Sequence, residues 1–109
     1  MKDVVTIVGS FRFKDQMLAL CNELSRKNKL VFLPNIETSE NAKGSTEIDV
    51  DMVQLHKRKI DMSEAVYVAA GPDLDSFHIG YSTTKEIDHA LGKGIPVYYV
   101  IGNDISEVK

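Results

Sequence analysis

Cysteine is nearly absent from this chain: Cys21 stands alone among 109 residues. One thiol cannot close an internal disulfide, and it offers no zinc-ligand spacing. Its place among Met17, Leu20 and Leu24 predicts a small buried residue on an apolar helix face rather than a catalytic thiol. Long apolar runs are missing too, since no segment reaches the ~20 residues a membrane-spanning helix needs. Met1-Lys2-Asp3-Val4-Val5 leads straight into a strand without the apolar region of a signal peptide, so a cytoplasmic location is the expectation. Charge of one sign is scarce: 13 Lys and Arg face 16 Asp and Glu, for a net charge of -3. The basic cluster His56-Lys57-Arg58-Lys59 is short and predicts a solvated helix face rather than a nucleic-acid surface. Neither G-x-G-x-x-G nor a Walker A loop occurs, which removes the usual signatures for dinucleotides and nucleoside triphosphates. No loop supplies aromatic side chains to sandwich an isoalloxazine, so neither a flavin nor another cofactor is expected. Asp73, Asp75 and His78 lack a recognised metal-ligand spacing, and no metal is expected.

What is present suits one domain over residues 1–109. Val4 to Val8 is a β-branched run ending at Gly9-Ser10, the pattern of a parallel strand buried on both faces. Met17, Leu20, Cys21 and Leu24 fall at helical spacing and predict a helix from Lys14 to Lys27. Leu30 to Leu33 follows as a strand stopped by Pro34. Asn35 to Glu47 is polar and without period, so it predicts a long loop of the kind that serves as a lid. A helix is expected from Asp49 to Ser63, a strand from Ala65 to Ala70 and a loop from Asp73 to Gly80. A third helix is expected from Ser82 to Leu91, closed by Gly92 and Gly94. Ile95 to Ile101 predicts the last strand, and Asp104 to Lys109 a tail with one turn of helix. Alternating strands and helices imply a parallel sheet covered on both faces. Ligands of such sheets bind beyond the carboxyl ends of the strands.

The most informative stretch is His78-Ile79-Gly80-Tyr81-Ser82-Thr83-Thr84-Lys85-Glu86. It predicts a small-residue turn and a helix start with Glu86 in the first turn. Such a turn exposes backbone N–H groups that hold anions, with His78, Gly80 and Ser82 beside them. A carboxylate there is favoured by the helix dipole, and could attack the sugar carbon of a nucleoside. Thr83-x-x-Glu86 is equally a capping box, in which Glu86 would serve only a backbone N–H. After the first strand, Gly9 permits close ligand approach, Ser10 can hydrogen-bond and Arg12 can pair with phosphate. Phe11 lies between them. A plain turn with Arg12 in solvent is the alternative. Asp61 and Glu64 either orient a ligand or form a solvated acidic pair. His56 faces either the cleft or solvent, and His89 is expected to be exposed. Tyr67, Tyr98 and Tyr99 suit core or subunit contacts.

The order Val-x-Ile-Val-Gly9-Ser10, Asp61-x-x-Glu64-Ala-Val-Tyr-Val-Ala, and Gly80-Tyr-Ser-Thr-Thr-Lys-Glu86-Ile-x-x-Ala90-x-x-x-Gly94-x-Pro96-Val97 resembles the nucleoside 2-deoxyribosyltransferase superfamily. That superfamily includes nucleoside 5'-monophosphate N-glycosidases. The resemblance implies a flavodoxin- or Rossmann-like three-layer α/β/α domain with a small parallel sheet of four to five strands. It implies Glu86 as the nucleophile that forms a glycosyl-enzyme intermediate. Gly9, Ser10 and Arg12 would hold a 5'-phosphate. In the register of a family helix aspartate stands His56, with Asp61 a shifted candidate.

The expected activity is therefore cleavage of an N-glycosidic bond in a nucleoside or nucleoside 5'-monophosphate, by transfer or by hydrolysis. His56, His78 or Asp61 would supply a proton to the departing base. A non-catalytic nucleotide-binding module of the same fold is the alternative. The partners expected are a small nucleoside or nucleotide and further copies of the chain, a homodimer or larger. Neither nucleic acid nor membrane is expected.

Overall fold

Five β-branched side chains in a row, Val4 to Val8, favour an extended backbone, and Val4–Gly9 forms strand β1, buried through Val8. A computed structural model describes residues 3–34 and 46–108, the side chains of 46–53 excepted. The expected lid, Asn35 to Glu47, lies outside the described residues as far as residue 45.

After β1 come a 3-10 turn (Phe11–Phe13), α1 (Lys14–Arg26) and β2 (Leu30–Phe32). Then follow α2 (Thr46–Asp61), β3 (Ala65–Ala69), α3 (Tyr81–Gly92), β4 (Val97–Ile101) and β5 (Asp104–Glu107). The sheet order is β2-β1-β3-β4-β5. The first four strands pair in parallel and β5 is antiparallel to β4. The domain is α/β with three layers. On one face Val5, Ile7, Ala65, Ala69 and Val100 pack against Met17, Leu20 and Leu24 of α1. On the other, Val8, Val66, Val68 and Val97 pack against Ile60 of α2 and Ile87 and Ala90 of α3. Each fully buried Ile or Met contributes roughly 1.5–3 kcal/mol of transfer free energy.

Local chemistry ends two helices as their sequences suggest. At the end of α1, Asn28 adopts a left-handed φ of 66°. Asn28 N donates to Ser25 O and Lys29 N to Leu24 O, which together make a Schellman cap. Gly94, at φ 73°, does the same for α3, with Gly94 N on Leu91 O and Ile95 N on Ala90 O.

The C-terminal tail differs from expectation. It is strand β5, not a helical turn. Gly102-Asn103 forms a two-residue hairpin loop with Gly102 at φ 59°. Gly102 N is also tied to Gly71 O at 2.8 Å. Tyr98 and Tyr99 consequently sit on an inner strand. Tyr98 stacks on Tyr67 at 5.2 Å between centroids, and Tyr99 meets Phe77 edge-on at 5.8 Å. Burial, with the Tyr98 hydroxyl second, pushes the Tyr67 phenol up.

The chain passes from β2 across β1 to β3, so the direction of winding reverses between β1 and β3. The crevice of such sheets lies there, outside the carboxyl ends. Two loops meet above it. The Phe13 ring contacts the backbone region of Gly71, lying 3.3 Å from where a Cβ would stand, and sits edge-on to His78 at 6.5 Å. Gln16 clamps the same place, its amide donating to Gly71 O and Val100 O and accepting from Gly71 N. Among the described residues no helix is long and apolar enough to cross a membrane.

Candidate functional site

Glu86 is a buried acidic residue of α3, and its surroundings differ from both sequence expectations. Helix α3 starts at Tyr81, with Gly80 as an extended N-cap (φ -75°, ψ 173°) that makes no side-chain cap bond. Thr84 N and Thr84 Oγ1 both donate to Gly80 O at 3.0 Å. Thr83 is already helical and is buried at 3% exposure, so it cannot act as the cap of a Thr83–Glu86 box. Glu86 therefore stands in the second turn, beyond the N–H groups that a helix leaves unpaired. The capping-box reading and the first-turn placement both fail for this reason.

Glu86 is 8% exposed. A carboxylate at that depth needs a hydrogen-bond donor. His56 of α2 provides it: His56 Nδ1 pairs with Glu86 Oε2. Of the two orientations open to His56, the structure shows the inward one, with 12% of its side chain exposed. Burial, and secondarily the Lys59 ammonium, push the His56 imidazole down to about 4. An ionised Glu86 pulls the other way. A proton on Nε2 would be buried without an acceptor, because Nε2 is sealed and has no partner among the described residues. Burial favours the neutral ring, and in that form the tautomer with Nδ1–H donates to an ionised Glu86.

Asp61 does not join this pair. It ends α2, near the amino edge of the sheet, and its Oδ1 lies 2.7 Å from His89 Nε2 of α3. His89 is consequently half-buried rather than exposed, with 21% of its side chain accessible. Helices α2 and α3 thus share two carboxylate–imidazole contacts of opposite sense. The acid is on α3 in one and on α2 in the other. Glu64 pairs with Lys29 instead; the bond from that ammonium holds its carboxyl below the usual range. Asp61 and Glu64 are therefore not a free acidic pair.

The remaining candidates follow β1 or lie at and just before the start of α3. Ser10 caps the 3-10 turn, accepting from Arg12 N at 3.4 Å, and Arg12 and Phe11 are exposed. Gly9, at φ 157°, has a packing reason for its size: a Cβ there would stand 2.9 Å from Ala69 O. Close approach by β3 is enough to require glycine there. Gly80 is open by contrast, since a Cβ would meet only His78 Nε2 at 3.8 Å. His78 is half-buried with its N–H on Ala70 O. Ser82 is exposed in the first turn of α3.

Three features escaped sequence reasoning. Tyr81 is 77% exposed with the Lys85 ammonium 4.8 Å from its ring centre, and Phe77 is 43% exposed. Phe11 is likewise exposed, at 44%. Second, Lys59 Nζ donates to Leu33 O at 3.2 Å, and burial lowers its ammonium. Third, Ser63 Oγ donates to Lys59 O at 2.8 Å, so the Thr6 hydroxyl must donate to Ser63 Oγ at 2.7 Å. That bond ties the end of α2 to β1. Thr6 in a valine run was the available signal.

No protein-family model and no curated protein matches this chain.

Proposed function

We propose that this chain cleaves the N-glycosidic bond of nucleosides or nucleoside 5'-monophosphates, with Glu86 as nucleophile, as in the nucleoside 2-deoxyribosyltransferase superfamily it resembles. The observation that carries the reading is the state of Glu86. It is buried, released from any capping duty, and held by a histidine whose burial favours the neutral ring. A fixed carboxylate with a donor on Oε2 keeps Oε1 for attack on C1'. The C1'–N bond breaks, its electron pair goes to the base nitrogen, and that nitrogen takes a proton. Covalent capture divides one difficult displacement into two. Water then completes a hydrolysis, or a second base completes a transfer. Arg12 and Ser10 suit a 5'-phosphate, and the exposed side chains of Phe11, Phe77 and Tyr81 suit a base.

The test is release of free base, followed by chromatography, from a panel of nucleosides and 5'-monophosphates of ribose and deoxyribose. Glu86→Ala should abolish release while the protein stays folded. Release that persists in a folded Glu86→Ala protein rejects the nucleophile. Tight binding without release by the native protein would instead identify a nucleotide-binding module. The protein is also proposed to be a homodimer or larger. Strand β5 is an exposed edge, and a small open sheet gains core by association. A monomer mass by light scattering at micromolar concentration would reject this.

A further inference from the structure

We propose that His56 is a latch on Glu86: the conformation described is a closed one, and a ligand reaches this carboxylate only when the turns of α2 around His56 part from α3. The identity of the ligand, a nucleoside or nucleoside 5'-monophosphate, rests on the reading of Glu86 as nucleophile; the latch itself does not. Of the His56 side chain 12% is exposed, and of the Glu86 side chain 10%. Glu86 Oε2 is taken by His56 Nδ1. His56 Nε2 is sealed and has no partner among the described residues. A sugar carbon cannot come within bonding reach of a carboxylate so covered. The group that would attack is held shut by its own partner.

The anchors of α2 lie below His56, in its last turn. Ile60 is fully buried in the core. Lys59 Nζ is bonded to Leu33 O at 3.2 Å and Asp61 to His89 at 2.7 Å. Ser63, just beyond the helix, is bonded to Thr6 at 2.7 Å. Across residues 54–58, by contrast, the one side-chain bond to another element is that of His56 to Glu86. Leu55 and Lys57 are half-buried, and Gln54 and Arg58 are exposed. Helix α2 is therefore pinned at its end and tied to α3 by a single bond above it. Segments with few buried contacts open locally, well below the free energy of global unfolding. Opening also relieves what closure leaves unmet, because water then reaches Nε2 and the carboxylate. A sugar hydroxyl donates as Nδ1–H does, so a bound ligand takes over Oε2 from the imidazole. Its preference for the open form shifts the population that way.

Amide hydrogen exchange in the full chain, read by 15N NMR, tests the latch without any activity. In the native protein the amides of residues 54–58 should exchange by local opening, faster than those of Val66 and Val68 in β3. Exchange at the rate of β3 would mean that α2 opens only with the whole domain, and overturns the latch with no variant needed. His56→Ala should speed residues 54–58 roughly 10–10³-fold relative to β3, the range for an open form populated at roughly 0.1–10% in the native protein. Equal exchange in native protein and variant overturns the latch. Kinetics with the nucleoside or nucleotide best cleaved by the native protein test its bearing on the site. In His56→Ala no imidazole competes for Oε2, so KM should fall by roughly the same 10–10³-fold. A KM unchanged or raised in the folded variant overturns the latch and leaves Glu86 standing. No base release by the native protein, with exchange as expected, overturns the nucleophile and leaves the latch.

Discussion

Acid should weaken this fold through His56 in particular. Its imidazole is held at about 4 against an ordinary 6.5, by burial first and by Lys59 second. Between those values the unfolded chain binds a proton that the folded chain refuses. The stability contributed by neutral His56 is therefore complete above about pH 6.5 and is lost as pH falls toward about 4. At about 1.4 kcal/mol per pH unit, the loss is about 2 kcal/mol at pH 5 and at most about 3.4 kcal/mol at lower pH. Glu86 on Nδ1 favours the imidazolium and makes these figures a ceiling. Against a domain stability of about 5–15 kcal/mol, the effect is measurable. Urea unfolding followed by far-ultraviolet circular dichroism, between about pH 7.5 and about 4.5, reads it directly. His56→Asn keeps a donor for Glu86 but does not titrate in this range. The stability difference between native protein and variant should shrink by about 2 kcal/mol from neutrality to pH 5. A constant difference would show that His56 titrates alike in both states. A difference that grows in acid would show an imidazolium paired with Glu86, and would refute a neutral ring.

Two further outcomes concern Gly9 and Arg12. Gly9→Ala should cost about 2–4 kcal/mol through overpacking and a strained φ, because its Cβ would stand 2.9 Å from Ala69 O. Gly92→Ala, with nothing within 4 Å of the new Cβ, should be neutral or gain up to about 1 kcal/mol; equal melting of the two variants would reject the packing account of Gly9. Arg12→Ala should weaken 5'-monophosphates by roughly 1.5–3 kcal/mol, the worth of one hydrogen bond to a charged group, and leave nucleosides unchanged. Calorimetry showing equal losses for both would place Arg12 away from the phosphate.

The sequence by itself determined the alternation of elements and the faces they bury. Val4 to Val8 has only one stable use, as a strand covered on both sides. Met17, Leu20 and Leu24 mark the single stripe by which α1 can pack. Gly94 ends α3 because a left-handed residue is needed after the last turn. These are local consequences of side-chain shape and period, and they hold wherever the segment lies. The tail was misjudged because Asp104 to Glu107 is exposed throughout and so carries no burial pattern. Its signal was Gly102-Asn103, a hairpin turn after a strand. Glu86 and His56 could be singled out by residue type, but their pairing could not be read from the sequence. Glu86 had a local partner at hand in the cap of its own helix, and took His56 instead, 30 residues away. His89 had no sequence signal for burial, and gained it from Asp61. The spacing of residues along a chain states which local bonds are possible. Only the docking of α2 on α3 decides which are made, because a buried carboxylate goes to the donor that reaches it when water is gone.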